Sequence, residues 1–165
     1  MSEYGLLNKD DNTKIAGENE EEIYGKLGLN YIQPELRENR GEIKAAQEGN
    51  LPKLIELEDI KGDLHVHTNW SEGSHSIKEM ANKAINMNYE YLAICDHAKT
   101  LQIAQGIKDE EFPKYIDDIR KADKNLDDIR IFSGIEANID SEGKLDVPEK
   151  FLKDLDFVVA SVHSG

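Results

Sequence analysis

The sequence predicts an α/β protein with parallel strands in residues 60–165, preceded by a small, mostly helical or irregular segment, residues 1–59. From residue 60 onwards, short apolar runs alternate with amphipathic stretches of helical period, which is the order of β-α-β units joined by right-handed crossovers. The runs YLAIC and FVVAS are apolar on both faces, as strands buried between two layers should be. Residues 1–59 instead hold many carboxylates between short apolar pieces.

The first segment contains two candidate helices. Asn19 is a candidate cap for a helix over residues 20–27 that Gly28 ends. A second helical run ends near Gly49 and Pro52. Nothing in this segment repeats or has catalytic spacing, so we expect a partly ordered appendage or linker.

Four strands are predicted in the second segment, at residues 62–67, 91–97, 129–139 and 156–163. The first connection carries an apolar stripe at helical spacing, which begins after a possible capping box of Ser76 and Glu79. A similar stripe fills the second connection, and Val147-Pro148 opens a shorter helix in the third. The three stripes are Ile77, Met80, Ala81, Ala84 and Ile85; Phe112, Tyr115, Ile116, Ile119 and Ala122; and Phe151, Leu152 and Leu155.

The composition is strongly acidic. Lys and Arg number 20 against 34 Asp and Glu, a formal net charge of −14, whereas sequence-independent binding of nucleic acid depends on basic residues. We therefore expect little intrinsic DNA affinity, and the carboxylates are compatible with binding of metal cations. A solvated acidic surface alone accounts for most of the charge.

The expected location is the cytoplasm, with no membrane partner. No apolar run approaches the roughly 18 residues that a membrane span needs, and the polar N-terminus lacks the pattern of a secretory signal. Cys95 is the single cysteine, so it cannot form an internal disulfide, which favours a reducing compartment.

The stretch GDLHVHTNWSEG places two histidines two positions apart on the first strand. Because side chains alternate along a strand, Asp63, His65 and His67 share one face, and Leu64 and Val66 face the other. The first face can line a polar site, and we expect the second to pack against helices.

The other strands also end in chemically active residues. The second strand finishes in Asp96-His97, the third carries Glu136 near its end, and the fourth finishes in His163. Since functional groups gather at the carboxyl ends of parallel strands, four histidines and a glutamate should share one rim. Glu72 follows on the loop after the first strand.

This mixture of imidazoles and carboxylates predicts a metal site. It suits zinc, manganese or iron better than magnesium alone, and six candidate ligands exceed the needs of one tetrahedral zinc, so we infer two or more metals. Such a site would bind a phosphate and activate water, which predicts hydrolysis of a phosphate ester. We assign no catalytic residue apart from the metal ligands. Asp63 and Asp96 are candidates for orienting the histidines.

Each residue also has a simpler interpretation. A lone histidine at a strand end is more often an ordinary polar residue, and Glu72 could be a solvated loop carboxylate. Trp70 either walls the site or only covers apolar surface. The hypothesis depends on the coincidence that four of the five histidines end predicted strands, with His75 a surface residue.

The motifs DLHVHTNWSEG, ICDH, GIEANI and SVHSG, in that order, resemble the metal-binding motifs of the PHP (polymerase and histidinol phosphatase) domain. The resemblance is closer to the PHP domain attached to bacterial and archaeal family X DNA polymerases. The leader, with EYGLL and IAGENEEEIYGKLGLNYIQPELRENRGEI, is similar to the end of the thumb and the linker of such a polymerase. The resemblance therefore implies a thumb-end and linker segment in residues 1–59 and the N-terminal part of a PHP domain in residues 60–165.

This family implies a distorted (β/α)₇ barrel with a trinuclear metal site and phosphoesterase activity. In the polymerases the domain is linked with manganese-dependent 3′–5′ exonuclease activity and processing of DNA ends in repair. The resemblance implies two or three manganese or zinc ions and DNA as a partner of the parent polymerase. By motif the ligands are His65, His67, His97, Glu136 and His163, with Glu72 where the family usually has aspartate.

Two departures from the family qualify this expectation. Residues 1–59 contain none of the palm carboxylates, so the chain should not polymerise nucleotides. The chain stops at SVHSG, before the later motifs and about half of the barrel, so we expect a fragment with incomplete metal binding and weak or no catalysis. An open sheet edge could pair two copies.

Two alternatives stay open. One is a stand-alone small-molecule phosphatase like the histidinol phosphatase relatives, which lack the thumb-like leader. The other is a non-catalytic module whose metal site only stabilises a polymerase.

Overall fold

The structure is a computed structural model that describes residues 4–99 and 105–163. The chain divides into two compact units, Met1–Ile55 and Glu56–Gly165. The predicted α/β class with parallel strands is confirmed in the second unit. Within the described ranges, no helix combines the length and apolar character that crossing a bilayer requires.

The first unit is a folded body rather than the partly ordered appendage that we expected. It contains an antiparallel pair of short strands that the sequence did not reveal, because two or three residues are too few to display alternation. Ala16, Ile32 and Ala46 are its buried apolar residues. Its elements are β1 (Leu6–Leu7), β2 (Lys14–Ala16), α1 (Glu20–Lys26), a 3₁₀ turn (Pro34–Leu36) and α2 (Glu42–Glu48).

The start of α1 and the end of α2 agree with the prediction, and α1 ends one residue earlier than predicted, at Lys26. The Asn19 side chain accepts a hydrogen bond of 2.8 Å from the backbone N–H of Glu22, which caps α1. Gly49 follows α2 with φ of 72°, the left-handed conformation that glycine adopts without a Cβ clash.

The second unit consists of parallel strands and connecting helices. In sheet order, β3, β4 and β5 form one parallel sheet, and β6 and β7 form another. The elements are a 3₁₀ turn (Leu57–Asp59), β3 (Gly62–Val66), α3 (Ile77–Asn86), β4 (Tyr91–Ile94), α4 (Phe112–Lys124), β5 (Arg130–Ser133), β6 (Glu136–Asn138), α5 (Glu149–Leu152) and β7 (Val159–Ser161).

The helices bury the predicted apolar stripes. Both hydrogen bonds of the capping box between Ser76 and Glu79 are present at the start of α3. Helix α4 buries four aromatic and aliphatic side chains against the sheet, and α5 buries Phe151 but ends before the predicted Leu155. The buried residues of α4 are Phe112, Tyr115, Ile116 and Ile119.

The outward face of β3 differs from the prediction. Val66 is buried, as expected, but the side chain of Leu64 is 52% exposed. Strand β3 is one of the two outer strands of its sheet, and the main helix contacts of the sheet are those of α3 with β4 and of α4 with β5. Leu64 therefore lacks the helical cover that we predicted for this face.

The predicted strand over residues 129–139 is divided into β5 and β6 at Gly134-Ile135. A Cβ at Gly134 would lie 2.7 Å from Sγ of Cys95 and 3.0 Å from the Ile94 carbonyl oxygen, so only glycine fits here. The second strand likewise ends at Ile94, before Asp96-His97, and is followed by isolated parallel bridges, one of which joins His97 to Glu136. The two partial sheets meet at this bridge, which is where the candidate site lies.

Candidate metal centre

His65, on β3, and His67, directly after it, point at the same carboxylate. Nε2 of His65 lies 3.0 Å from Oε2 of Glu136, and Nε2 of His67 lies 3.3 Å from the same oxygen. The rings are stacked with centroids 4.9 Å apart, because side chains at i and i+2 project from one face of a strand. The spacing in the sequence thus yields a stacked pair of imidazoles whose planes are inclined by 29°.

The ends of the other strands bring two more imidazoles to Glu136. The isolated bridge places His97 beside Glu136, with Nδ1 of His97 3.3 Å from Oε2. Beyond the end of β7, Nε2 of His163 lies 3.1 Å from Oε1 of Glu136, and the backbone N–H of His163 donates to the Asn138 side chain at 3.1 Å. Glu136 itself is buried, with 6% of its surface exposed.

Glu72 reaches the cluster from the loop after β3. Its Oε1 lies 2.9 Å from Nδ1 of His67 and 3.2 Å from Nε2 of His97. The loop turns tightly, because the backbone N–H groups of Ser71 and Gly73 both donate to the carbonyl oxygen of Thr68. All six predicted ligands therefore lie together among the described residues, supplied by the ends of β3, β4 and β7, the start of β6 and the loop after β3.

The hydrogen bonds described for Asp63 and Asp96, the two predicted orienting aspartates, go to groups other than the histidine rings. Oδ1 of Asp63 accepts the backbone N–H of His65 at 2.9 Å. Asp96 is fully buried, and its carboxylate accepts hydrogen bonds of 2.6 to 2.7 Å from the Thr68 backbone, the Thr68 hydroxyl and the Ser71 hydroxyl. Asp96 thus holds the loop that carries Glu72, which differs from the predicted role.

Sequence reasoning missed Thr68 and Ser71. Both are buried and link the loop after β3 to Asp96. Two short hydroxyl residues directly after HxH were the available signal, since such side chains commonly satisfy a buried carboxylate in a turn.

The charges of the cluster are balanced between acid and imidazole. Burial acts to raise the pKa of Glu136, but the hydrogen bond with His65 and the nearby His97, His65 and His163 outweigh it, so the pKa is lowered. Burial, helped by the nearby His67 and His163, lowers the pKa of His97 against the opposite effect of Glu72 and Glu136. Metal binding requires an ionised carboxylate and an unprotonated ring nitrogen, and the lowered pKa values of Glu136 and His97 both favour those forms.

The six residues form three overlapping groups whose donor atoms lie within 4.8 Å of one another. Nδ1 of His67 is buried and has no hydrogen-bond partner, although Oε1 of Glu72 lies 2.9 Å away. A buried lone pair and a carboxylate oxygen that face the same space fit a shared cation. The groups are His65, His67 and Glu136; His67, Glu72 and His97; and His97, Glu136 and His163.

Comparison with known proteins agrees with this geometry. A family model described as PHP domain matches residues 63–165, and one described as DNA polymerase beta thumb matches residues 1–38. The chain is 37% identical over its full 165 residues to a DNA polymerase/3'-5' exonuclease PolX of Bacillus subtilis (strain 168), of which it covers 29%.

Smaller relatives match the second unit. The chain is 38% identical over 103 residues to a probable phosphatase of Acetivibrio thermocellus, which is 61% of this chain and 40% of the relative. It is 34% identical over 103 residues to a probable phosphatase of Caldanaerobacter subterraneus subsp. tengcongensis, again 61% of this chain and 38% of the relative. The chain thus spans less than half the length of these relatives. With most of its length matched by the PHP model, the chain belongs to the PHP domain family.

Proposed function

We propose that this chain is part of a metal-dependent phosphoesterase. The observation that supports the proposal is the convergence of six nitrogen and oxygen donors on one centre, in three overlapping groups. We further propose two or three manganese or zinc ions, with His65, His67, Glu72, His97, Glu136 and His163 as ligands. Cations held there would supply Lewis-acid polarisation of a phosphoryl oxygen and an activated water.

The protein's own residues prepare the centre for this chemistry. Glu136 contacts all four imidazoles, so it belongs to two of the three groups and supplies negative charge between them. Glu72, on the loop that Asp96 anchors, closes the third group. Rigid strand ends and a tied loop keep these donors in place before a phosphate arrives, which reduces the reorganisation needed for catalysis.

We propose that the parent protein is a family X polymerase that hydrolyses DNA phosphodiesters in a 3′–5′ direction during repair. The thumb match at residues 1–38 and the name of the Bacillus relative support this assignment. In this account residues 1–59 are the thumb end and linker. Residues 60–165 supply the first part of a (β/α)₇ barrel, and DNA binds mainly through the rest of the polymerase. The outer edge of the partial sheet could pair with a second copy.

Hydrolysis of bis-p-nitrophenyl phosphate with added manganese tests the activity. In the parent polymerase we expect manganese-dependent turnover that His67→Ala abolishes, and for residues 1–165 alone weak or no turnover. His75→Ala is the matched control, because His75 is exposed and belongs to none of the three groups. Turnover that persists in His67→Ala would contradict the proposal.

A phosphomonoesterase is the second candidate, and the two relatives named probable phosphatases favour it. Comparing p-nitrophenyl phosphate with a 3′-ended oligonucleotide separates the two functions. We expect the parent to prefer the oligonucleotide, and a preference for the monoester would favour the second candidate.

A further inference from the structure

Tyr115 lies behind the metal centre and belongs to none of its ligand groups. It projects from α4, its side chain is fully buried, and its hydroxyl lies between the ends of β4 and β5. The hydroxyl accepts the backbone N–H of Asp96 at 3.1 Å and donates to the carbonyl oxygen of Gly134 at 2.9 Å, with the Ile94 carbonyl oxygen 3.3 Å away. Burial raises the pKa of Tyr115 well above its usual value, so the hydroxyl keeps its proton.

These contacts replace one rung of the parallel ladder. The N–H of Gly134 donates to Ile94 at 2.8 Å, and the N–H of Glu136 donates to Asp96 at 3.0 Å. In a regular parallel ladder the rung between them would join the Asp96 N–H directly to the Gly134 carbonyl. Here the tyrosine hydroxyl bridges the Asp96 N–H and the Gly134 carbonyl oxygen. The two strand segments therefore separate just before His97 and Glu136.

The inserted hydroxyl acts on both sides of the centre. On one side it fixes Asp96, which precedes His97 and anchors the loop of Glu72 through Thr68 and Ser71. On the other side it fixes Gly134, two residues before Glu136. The spacing of three ligands on separate elements therefore depends on one buried oxygen.

We propose that the Tyr115 hydroxyl is a positioning residue of the metal centre, which sets the spacing of His97, Glu136 and Glu72 and thereby the affinity for divalent cations. The inference rests on the metal binding in the proposed function. Without the oxygen, the Asp96 N–H and the Gly134 carbonyl lose their partners, and the strand ends must close or take up water. Either change moves ligands that must hold a cation within a few tenths of an ångström.

The test is titration of the apo protein with Mn²⁺, together with the visible absorption spectrum of its Co²⁺ form. We expect Tyr115→Phe to weaken Mn²⁺ binding about 10- to 100-fold, the range for groups that orient metal ligands, and to shift the Co²⁺ bands. Tyr91→Phe, at the opposite end of β4, is the hydroxyl control, and Ile119→Val in α4 is the control for lost stability. Both controls should bind Mn²⁺ as tightly as the unsubstituted chain does.

A matched pair of unnatural residues at position 115 separates the oxygen from its volume. 4-Aminophenylalanine keeps a donor towards Gly134, and 4-methylphenylalanine fills the same space without one. We expect the amino variant to bind Mn²⁺ more tightly than the methyl variant, and this pair decides the question if Tyr115→Phe does not fold. The inference would be overturned if the amino and methyl variants bound Mn²⁺ with equal affinity. It would also be overturned if Tyr115→Phe kept the Mn²⁺ affinity and the Co²⁺ spectrum of the unsubstituted chain. If the parent polymerase bound Mn²⁺ but did not hydrolyse phosphoesters, only the proposed activity would be contradicted.

Discussion

Glu136 has contacts that no ordinary surface carboxylate has. It is buried, and its two oxygens lie 3.0 to 3.3 Å from ring nitrogens of four histidines. Burying a carboxylate costs desolvation free energy. Protons on the imidazoles or a bound cation can offset that cost by compensating its negative charge. Glu72 contacts two of these histidines from a more exposed position.

This difference predicts unequal effects of removing each charge. Glu136→Gln should weaken Mn²⁺ binding by more than about 100-fold, beyond the effect expected of a group that only supports a ligand, because two groups lose their carboxylate. Glu72→Gln changes one group and should have the smaller effect. Isothermal titration calorimetry with Mn²⁺ measures the loss of affinity in both variants, with the exposed Glu142→Gln as control. Equal losses, or none, would show that Glu136 is not the shared ligand.

Cys95 provides a second prediction at the residue scale. Burial raises the pKa of its thiol to about 12, so the thiol is protonated and enclosed near neutral pH. We expect no reaction of the folded protein with Ellman's reagent at pH 8 and complete reaction in guanidinium chloride. Because the pKa is higher in the folded state than the ordinary 9.0, its contribution to stability falls as the pH rises from 9.0 to about 12. Rapid labelling of the native thiol would contradict this placement.

At the scale of elements, the sequence predicted what local pattern determines. Caps and apolar stripes located α1, α3 and α4, and the apolar runs located β3 and β4. The conjunction of strand-end histidines and Glu136 was predicted as well, because parallel strands fix where their carboxyl ends gather.

The sequence did not predict the break between β5 and β6. At this break the Tyr115 hydroxyl donates to the Gly134 carbonyl oxygen, a contact made through tertiary packing. In the sequence Tyr115 appeared only as one member of the apolar stripe of α4. Nor could local pattern show that Asp96 anchors Thr68 and Ser71, since the partners lie 28 and 25 residues away. Exposure of Leu64 likewise follows from tertiary packing, since α3 and α4 pack mainly against β4 and β5.

The start of α3 gives a prediction at the element scale. Ser76 and Glu79 exchange side-chain to backbone hydrogen bonds of 3.3 and 2.8 Å. Ser76→Ala removes one of them and should lower the free energy of unfolding by about 1 kcal/mol. Urea denaturation measures this loss, with the exposed Ser74→Ala as the matched control. Equal midpoints for the two variants would contradict the capping role.

At the scale of the whole molecule, the net charge of −14 opposes binding of DNA phosphates but favours divalent cations. Since the candidate ligands all belong to the unit Glu56–Gly165, cations should stabilise that unit by mass action. At a free concentration one hundred times Kd the gain is about 2.7 kcal/mol.

We therefore expect chelation to lower the melting temperature of the second unit and added Mn²⁺ to restore it. Differential scanning calorimetry with and without EDTA measures the shift. In His67→Ala, which removes a ligand from two of the three groups, both shifts should be smaller. A shift of the same size in that variant would place the stabilising cation elsewhere.

The most direct test of the metal centre is an anomalous difference map from crystals of this chain grown with Mn²⁺. We predict peaks within coordination distance of Glu136 and the surrounding imidazoles of His65, His67, His97 and His163. A well-ordered structure that shows these side chains without any anomalous peak among them would contradict the account.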